Sequence, residues 1–161
     1  MSSFDKLIKE ISAILKKKNW QLVTAESCTG GLIASYLTEI AGSSVWFERG
    51  FVTYSNLAKE ELLSVPKQLI EEYGAVSEPV AQAMATGALQ HSAGHVAVSV
   101  TGIAGPDGGC LEKPVGTVCF GWAARDREPK ILRKQFTGDR QGIRLAACQE
   151  ALSGIFSYIK N

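Results

Sequence analysis

A chain of 161 residues with 17 basic and 16 acidic side chains has the size of one domain, able to bury roughly two thirds of its unfolded surface without a disulfide or metal staple. That balance excludes a global charge bias toward nucleic acid, and no run approaches the roughly 20 apolar residues that would span a bilayer. Cys28, Cys110, Cys119 and Cys148 are scattered without metal-ligand spacing, and the chain opens without a secretory segment, so the expectation is a soluble cytoplasmic protein with reduced thiols.

In "FDKLIKEISAIL", Phe4, Leu7, Ile8, Ile11, Ile14 and Leu15 share one helical stripe, and the following Lys16 to Lys18 suit a helix C-terminus. "WQLVTA" reads as a short strand and "GGLIASYLTEIAG" as a helix stopping near Gly42. "VWFERGFVTYS" is strand-like and leads into "NLAKEELLSV", with Asn56 as the expected N-cap. "SEPVAQAMATGALQHS" predicts a helix capped by Ser77, with Pro79 in its first turn and Val80, Met84 and Leu89 facing inward. "HVAVSVTG" is a buried-strand candidate. "VGTVCFGWAA" and "PKILRKQFTG", separated by the polar "RDRE", form a hairpin signal, and "DRQGIRLAACQEALSGIFSYI" predicts a long final helix. With neither repeat nor linker, the pattern predicts one α/β domain over residues 1–161, a mixed, mainly parallel sheet covered by helices.

The stretch "TAESCTGG", Thr24 to Gly31, joins a predicted buried strand to a helix, where α/β folds gather ligand groups. Ser27 sits at the turn, and the amides of Cys28, Thr29, Gly30 and Gly31 run into the helix, so a nucleophile and an oxyanion hole can share one loop. Ser27 or Thr29 acting only as a helix cap explains the same residues. A serine nucleophile needs a base. His91 and His95 lack the context of a metal pair, and nothing points to a histidine triad without excluding one. Lys59, one turn into the helix after Tyr54 and Ser55, is the other candidate, since desolvation and a helix N-terminus favour a neutral amine. A simply solvated Lys59 is the alternative. Cys28, a thiol at a helix N-terminus, is a second possible nucleophile.

"VSVTGIAGPDGG" spells neither GxGxxG nor a triphosphate loop, but Thr101, Asp107 and the backbone around Gly102 and Gly105 could wrap a ligand, or form a plain surface turn. In "FTGDRQGIR", Asp139 is the expected cap of the last helix, and Arg140 and Arg144 align one turn apart as a phosphate clamp or a solvated face.

Together, "TAESCTGGLIASYLTEIAGSSVWFERGFVTYSNLAKEEL", "GAVSEPVA", "VSVTGIAGPDGG", "KPVGTV" and "FTGDR" resemble the CinA C-terminal domain family, which includes the stand-alone bacterial nicotinamide-nucleotide amidases. The resemblance runs from about Trp20 to the last helix. It implies hydrolysis of the carboxamide of nicotinamide mononucleotide to nicotinic acid mononucleotide and ammonia, in pyridine-nucleotide recycling. It also implies a serine–lysine mechanism without metal or cofactor, a three-layer α/β/α fold and a homodimer, with no nucleic-acid or membrane partner. By position, Ser27 matches the nucleophile and Lys59 the base, with Tyr54 and Thr101 beside them. Arg140 and the Gly102 to Gly109 loop are the available phosphate contacts. A non-catalytic nucleotide-binding or interaction module is the competing reading.

Overall fold

The computed structural model describes residues 4–161. Helix α1 (Asp5–Lys18) buries Ile8, Ile11 and Leu15 and ends at Asn19, whose left-handed backbone closes the last turn. Strand β1 (Leu22–Glu26) leads through a tight turn into α2 (Leu32–Thr38). A 3₁₀ turn (Ser43–Val45) then precedes strand β2 (Phe47–Val52). Helices α3 (Asn56–Leu63), α4 (Lys67–Tyr73) and α5 (Glu78–Gln90) follow in succession. Strands β3 (Val96–Gly102), β4 (Thr117–Ala124) and β5 (Arg127–Gln135) complete the sheet before α6 (Arg140–Ile159).

The sheet order is β2-β1-β3-β4-β5. β1 pairs in parallel with β2 and β3, while β4 runs antiparallel to both β3 and β5, so four of the five strands point one way. Strand alternation sorts the core into two layers. Leu22, Val96, Val98, Val100, Val118, Phe120 and Trp122 meet α1, α2 and α6. Val23, Ala25, Ala97 and Ala123 face the other way, against Leu63, Val80, Met84 and Ala88 of α3 and α5. The second face is built from small residues because α5 lies close to it: the Ser99 hydroxyl donates to Ala81 O, and a Cβ on Gly121 would stand 2.6 Å from the same oxygen. Opposite, Gly154 of α6 leaves room for the Trp122 indole.

The expected three-layer α/β/α arrangement is therefore present, with local differences. α2 ends at Thr38, four residues short of Gly42, where the Thr38 hydroxyl bonds back to Ala34 O and Ser35 O. α4 was not expected, because "PKQLIEEY" is short and mostly polar and buries only Ile70 within the helix. The cap of α3 is Ser55, whose Oγ accepts from the Ala58 amide, so Asn56 is the first helical residue and not the cap. Ser77 and Asp139 cap α5 and α6 as their sequences predict.

These connections define a site. From β1 the chain passes to α2 on one face, and from β2 to α3 on the other, so a crevice opens at the carboxyl ends of these adjacent strands.

Candidate active site

Ser27 and the residues after β2 are placed by the last rungs of the sheet. The Ser27 amide donates to Val100 O at 3.0 Å, and the Thr53 amide donates to Glu26 O at 2.8 Å, extending both parallel ladders by one step. Ser27, Thr53 and Tyr54 therefore leave the sheet side by side. Gly31 adopts φ 98°, a left-handed conformation that favours glycine and lets the turn enter α2 directly.

Lys59 is almost completely buried, 1 % exposed. Its Nζ stands 2.9 Å from Ser27 Oγ, 3.0 Å from Thr53 O and 3.2 Å from Tyr54 O. Among the described residues no carboxylate forms an ion pair with it. Burial accordingly holds the amine below its ordinary value of 10.5. A neutral amine has two N–H donors and one lone pair. The two carbonyls match the donors, and the remaining direction faces the serine hydroxyl.

Neither Ser27 nor Thr29 caps α2. Ser27 Oγ points toward Lys59 Nζ and lies 3.4 Å from Tyr54 O, while Thr29 Oγ1 is buried without a partner. The cap comes from Glu26, 1 % exposed, whose carboxylate accepts from Ile33 N at 2.9 Å and Ala34 N at 3.0 Å. The acid in "TAESCTGG" was the available signal, but a carboxylate reaching forward to cap a helix seven residues on has no short-range pattern. Glu26→Ala strands two amides at the start of α2 and is expected to cost roughly 2 kcal/mol or more in urea unfolding.

Cys28 also borders the crevice, but burial pushes its thiol up to about 12, which keeps it protonated. His91 and His95 lie elsewhere. His95 accepts from the Gln21 amide at the amino end of β1, and His91 bonds Ser64 Oγ, so neither serves Ser27.

A polar cavity of about 170 Å³ surrounds the pair, lined in part by Ser27, Tyr54, Asn56, Lys59, Thr101 and Arg140. Thr101 Oγ1 donates to Ala75 O at 2.9 Å and so ties the loop before α5 to the end of β3. Gly102 keeps the floor open, because a Cβ there would lie 3.0 Å from Cys28 Sγ and 2.8 Å from Val118. The Tyr54 ring is 62 % exposed and its hydroxyl accepts from Arg140 Nη2 at 3.2 Å, so Tyr54 touches Lys59 through its carbonyl and not its ring. Arg140 also donates to Gly105 O at 2.7 Å, which stations a cation at the rim. Arg144 does not join Arg140 in a clamp. It donates instead to Cys28 O and Thr29 O, both at 3.1 Å. The Gly30 amide is spent on Ser27 O at 3.0 Å and is not a free donor, whereas those of Cys28, Thr29 and Gly31 reach no carbonyl or carboxylate among the described residues.

A serine hydroxyl paired with a desolvated amine beside uncommitted backbone N–H groups has the chemistry to attack a carbonyl carbon and stabilise the oxyanion, the work of an amide- or ester-cleaving hydrolase. Residues 4–159 match the CinA C-terminal domain, and the chain belongs to that family. It is 57% identical over 153 residues to nicotinamide-nucleotide amidohydrolase PncC of Enterobacter agglomerans, covering 94% of this chain and 93% of the relative. Against nicotinamide-nucleotide amidohydrolase PncC of Escherichia coli strain K12, identity is 48% over 155 residues, covering 96% and 94%. The crystal structure of competence/damage inducible protein CihA from Agrobacterium tumefaciens superposes with a TM-score of 0.96 at 42% identity, covering 100% of this chain and 98% of that one.

Proposed function

We propose that this protein is a nicotinamide-nucleotide amidohydrolase, which converts nicotinamide mononucleotide to nicotinic acid mononucleotide and ammonia through Ser27 and Lys59. The observation that carries the mechanism is the 2.9 Å approach of a buried Lys59 amine, in no ion pair among the described residues, to the Ser27 hydroxyl. The substrate assignment follows from the names and near-full-length similarity of the relatives.

In the first half-reaction Lys59 takes the Ser27 proton as Oγ bonds to the carboxamide carbon. The amides of Cys28 and Thr29 receive the oxyanion. Lys59 returns the proton to the departing nitrogen, the C–N bond breaks, and ammonia leaves an acyl ester on Ser27. Water then attacks the ester, giving a proton to the same amine. Collapse breaks the C–Oγ bond, Ser27 recovers its proton from Lys59, and the nucleotide acid departs and ionises, its proton passing to the released ammonia or to solvent. The cavity suits the pyridine carboxamide, with Arg140 at the rim for the phosphate. Thr101 acts by holding the Ala75 loop, and Tyr54 by its carbonyl and its link to Arg140.

The cycle uses no metal or cofactor. Incubation with nicotinamide mononucleotide in the presence of chelator, with ammonia and product identified, tests the reading. Equal amounts of ammonia and nicotinic acid mononucleotide are expected, at a rate unchanged by chelation. Binding without ammonia release would favour the non-catalytic module, and activity restored only by a divalent ion would overturn the serine–lysine route. A homodimer in the bacterial cytoplasm, acting as a single amidohydrolase domain over residues 1–161, completes the proposal. Among the described residues no helix is long and apolar enough to cross a membrane.

A further inference from the structure

Arg144 stands behind the Ser27 turn and outside the lining of the cavity. One helical turn separates it from Arg140, yet the two guanidinium groups do different things: Arg140 reaches the rim, and Arg144 grips the back of the turn. Its Nε takes Cys28 O and its Nη2 takes Thr29 O, each at 3.1 Å. In a planar trans peptide the C=O and the following N–H point in opposite directions. Drawing the Cys28 carbonyl toward the guanidinium therefore turns the Thr29 N–H away from it. Drawing the Thr29 carbonyl the same way sends the Gly30 N–H to Ser27 O at 3.0 Å. That bond fixes the Ser27 carbonyl and, by the same rule, sets the Cys28 N–H opposite to it. Two adjacent carbonyls are thus held by one cation, that of Thr29 jointly with the Leu32 amide at 3.0 Å, the Ser27 plane follows through the Gly30 bond, and of the donors on these three planes those of Cys28 and Thr29 have no carbonyl or carboxylate partner among the described residues.

We infer that Arg144 is a positioning residue for the hydrolysis: its fork presets the Cys28 and Thr29 amides that receive the oxyanion. The inference rests on the amidohydrolase reading of the Ser27 site. Arg144 touches neither the cavity nor Lys59 in this arrangement, so its effect falls on the transition state and not on ground-state binding. The planar, always-charged fork is also what two adjacent carbonyls require, and a lysine ammonium supplies it only in part.

The test compares wild type, Arg144→Ala and Arg144→Lys. Phosphonylation of Ser27 by an alkyl fluorophosphonate, followed by mass, reads the turn without depending on the natural substrate. There Oγ–P forms, P–F breaks, fluoride leaves, the serine proton passes to Lys59, and the phosphoryl oxygen takes the same backbone donors. Arg144→Ala is expected to label roughly 10²-fold more slowly, the scale of one oxyanion donor. Its kcat for nicotinamide mononucleotide should fall in parallel, with KM and the affinity for nicotinic acid mononucleotide within about threefold of wild type. Added methylguanidinium should recover part of the labelling rate, and Arg144→Lys should fall between the two. Unchanged labelling, a loss confined to KM, or failure of methylguanidinium to raise the rate of a folded Arg144→Ala would overturn the assignment. If Arg144→Ala does not fold, Arg144→Lys carries the test, and a wild-type rate there overturns it. A wild type that labels at Ser27 but releases no ammonia defeats the substrate reading and leaves the clamp intact, whereas no labelling of wild type defeats the clamp.

Discussion

Ser27→Ala is expected to lower turnover of nicotinamide mononucleotide by at least about 10⁴-fold, because it removes the oxygen that forms the acyl bond. The fold should survive. Ser27 contributes no helix cap, and the Ser27 amide that pairs with Val100 belongs to the backbone and remains in the variant. Cys28→Ala is the matched control. Its thiol is pushed up to about 12 by burial, so at neutral pH it is not a thiolate, and its removal should leave most of the activity. Its main cost is packing, since the side chain is 6 % exposed within the core shared by α2 and α6. Steady-state ammonia release from the two purified variants, with circular dichroism to check folding, decides the matter. The reverse ranking would transfer the nucleophile to sulfur.

Lys59 variants should lose nearly as much, for a reason visible in their pH dependence. Burial lowers the Lys59 value in the folded protein, so the fraction of neutral amine grows as pH rises through that lowered value. kcat should rise in the same interval and level off before the 10.5 of an ordinary lysine. Lys59→Arg keeps the charge but cannot deprotonate, and Lys59→Met keeps much of the length without either function. Both are expected to fall by about 10³-fold or more in kcat, the upper range for loss of a positioned general base. An arginine variant that retained activity, with the methionine variant impaired mainly in KM, would reduce Lys59 to an electrostatic anchor for the phosphate.

Part of this candidate site is legible in the sequence. Ser27 lies at a strand-to-helix turn marked by two glycines, and Lys59 lies one turn past the end of another strand, so local pattern makes both candidates, and the family resemblance singles them out from the alternatives. Arg144 illustrates what local pattern leaves open. Its i, i+4 relation to Arg140 suggests a shared phosphate clamp, but the two side chains diverge because α6 crosses behind the β1–α2 turn, 115 residues earlier in the chain by its bond to Thr29 O. The contacts of Tyr54 and Gly30 were open for a related reason. Tyr54 meets Lys59 through its carbonyl, and the Gly30 amide, expected as an oxyanion donor, turns back to Ser27 O, because the direction of each backbone group is set by the turn's conformation.

Sequence alone carried the alternation of helices and strands, the caps at Ser77 and Asp139 and the late hairpin, and it offered Ser27 and Lys59 as a candidate nucleophile and base beside the alternatives of a helix cap, a Cys28 thiol and a solvated lysine. Periodicity and capping are local properties, written within a few residues of where they act. Tertiary structure decided whether that chemistry could operate. Only the parallel pairing of β1 with β2 brings Ser27 beside Thr53 and Tyr54, only the packing of α3 buries Lys59 where no carboxylate among the described residues pairs with it, and only the course of α6 puts Arg144 beneath the turn. A lysine becomes a base through desolvation by residues far away in sequence, and that environment exists only once the layers have closed around it.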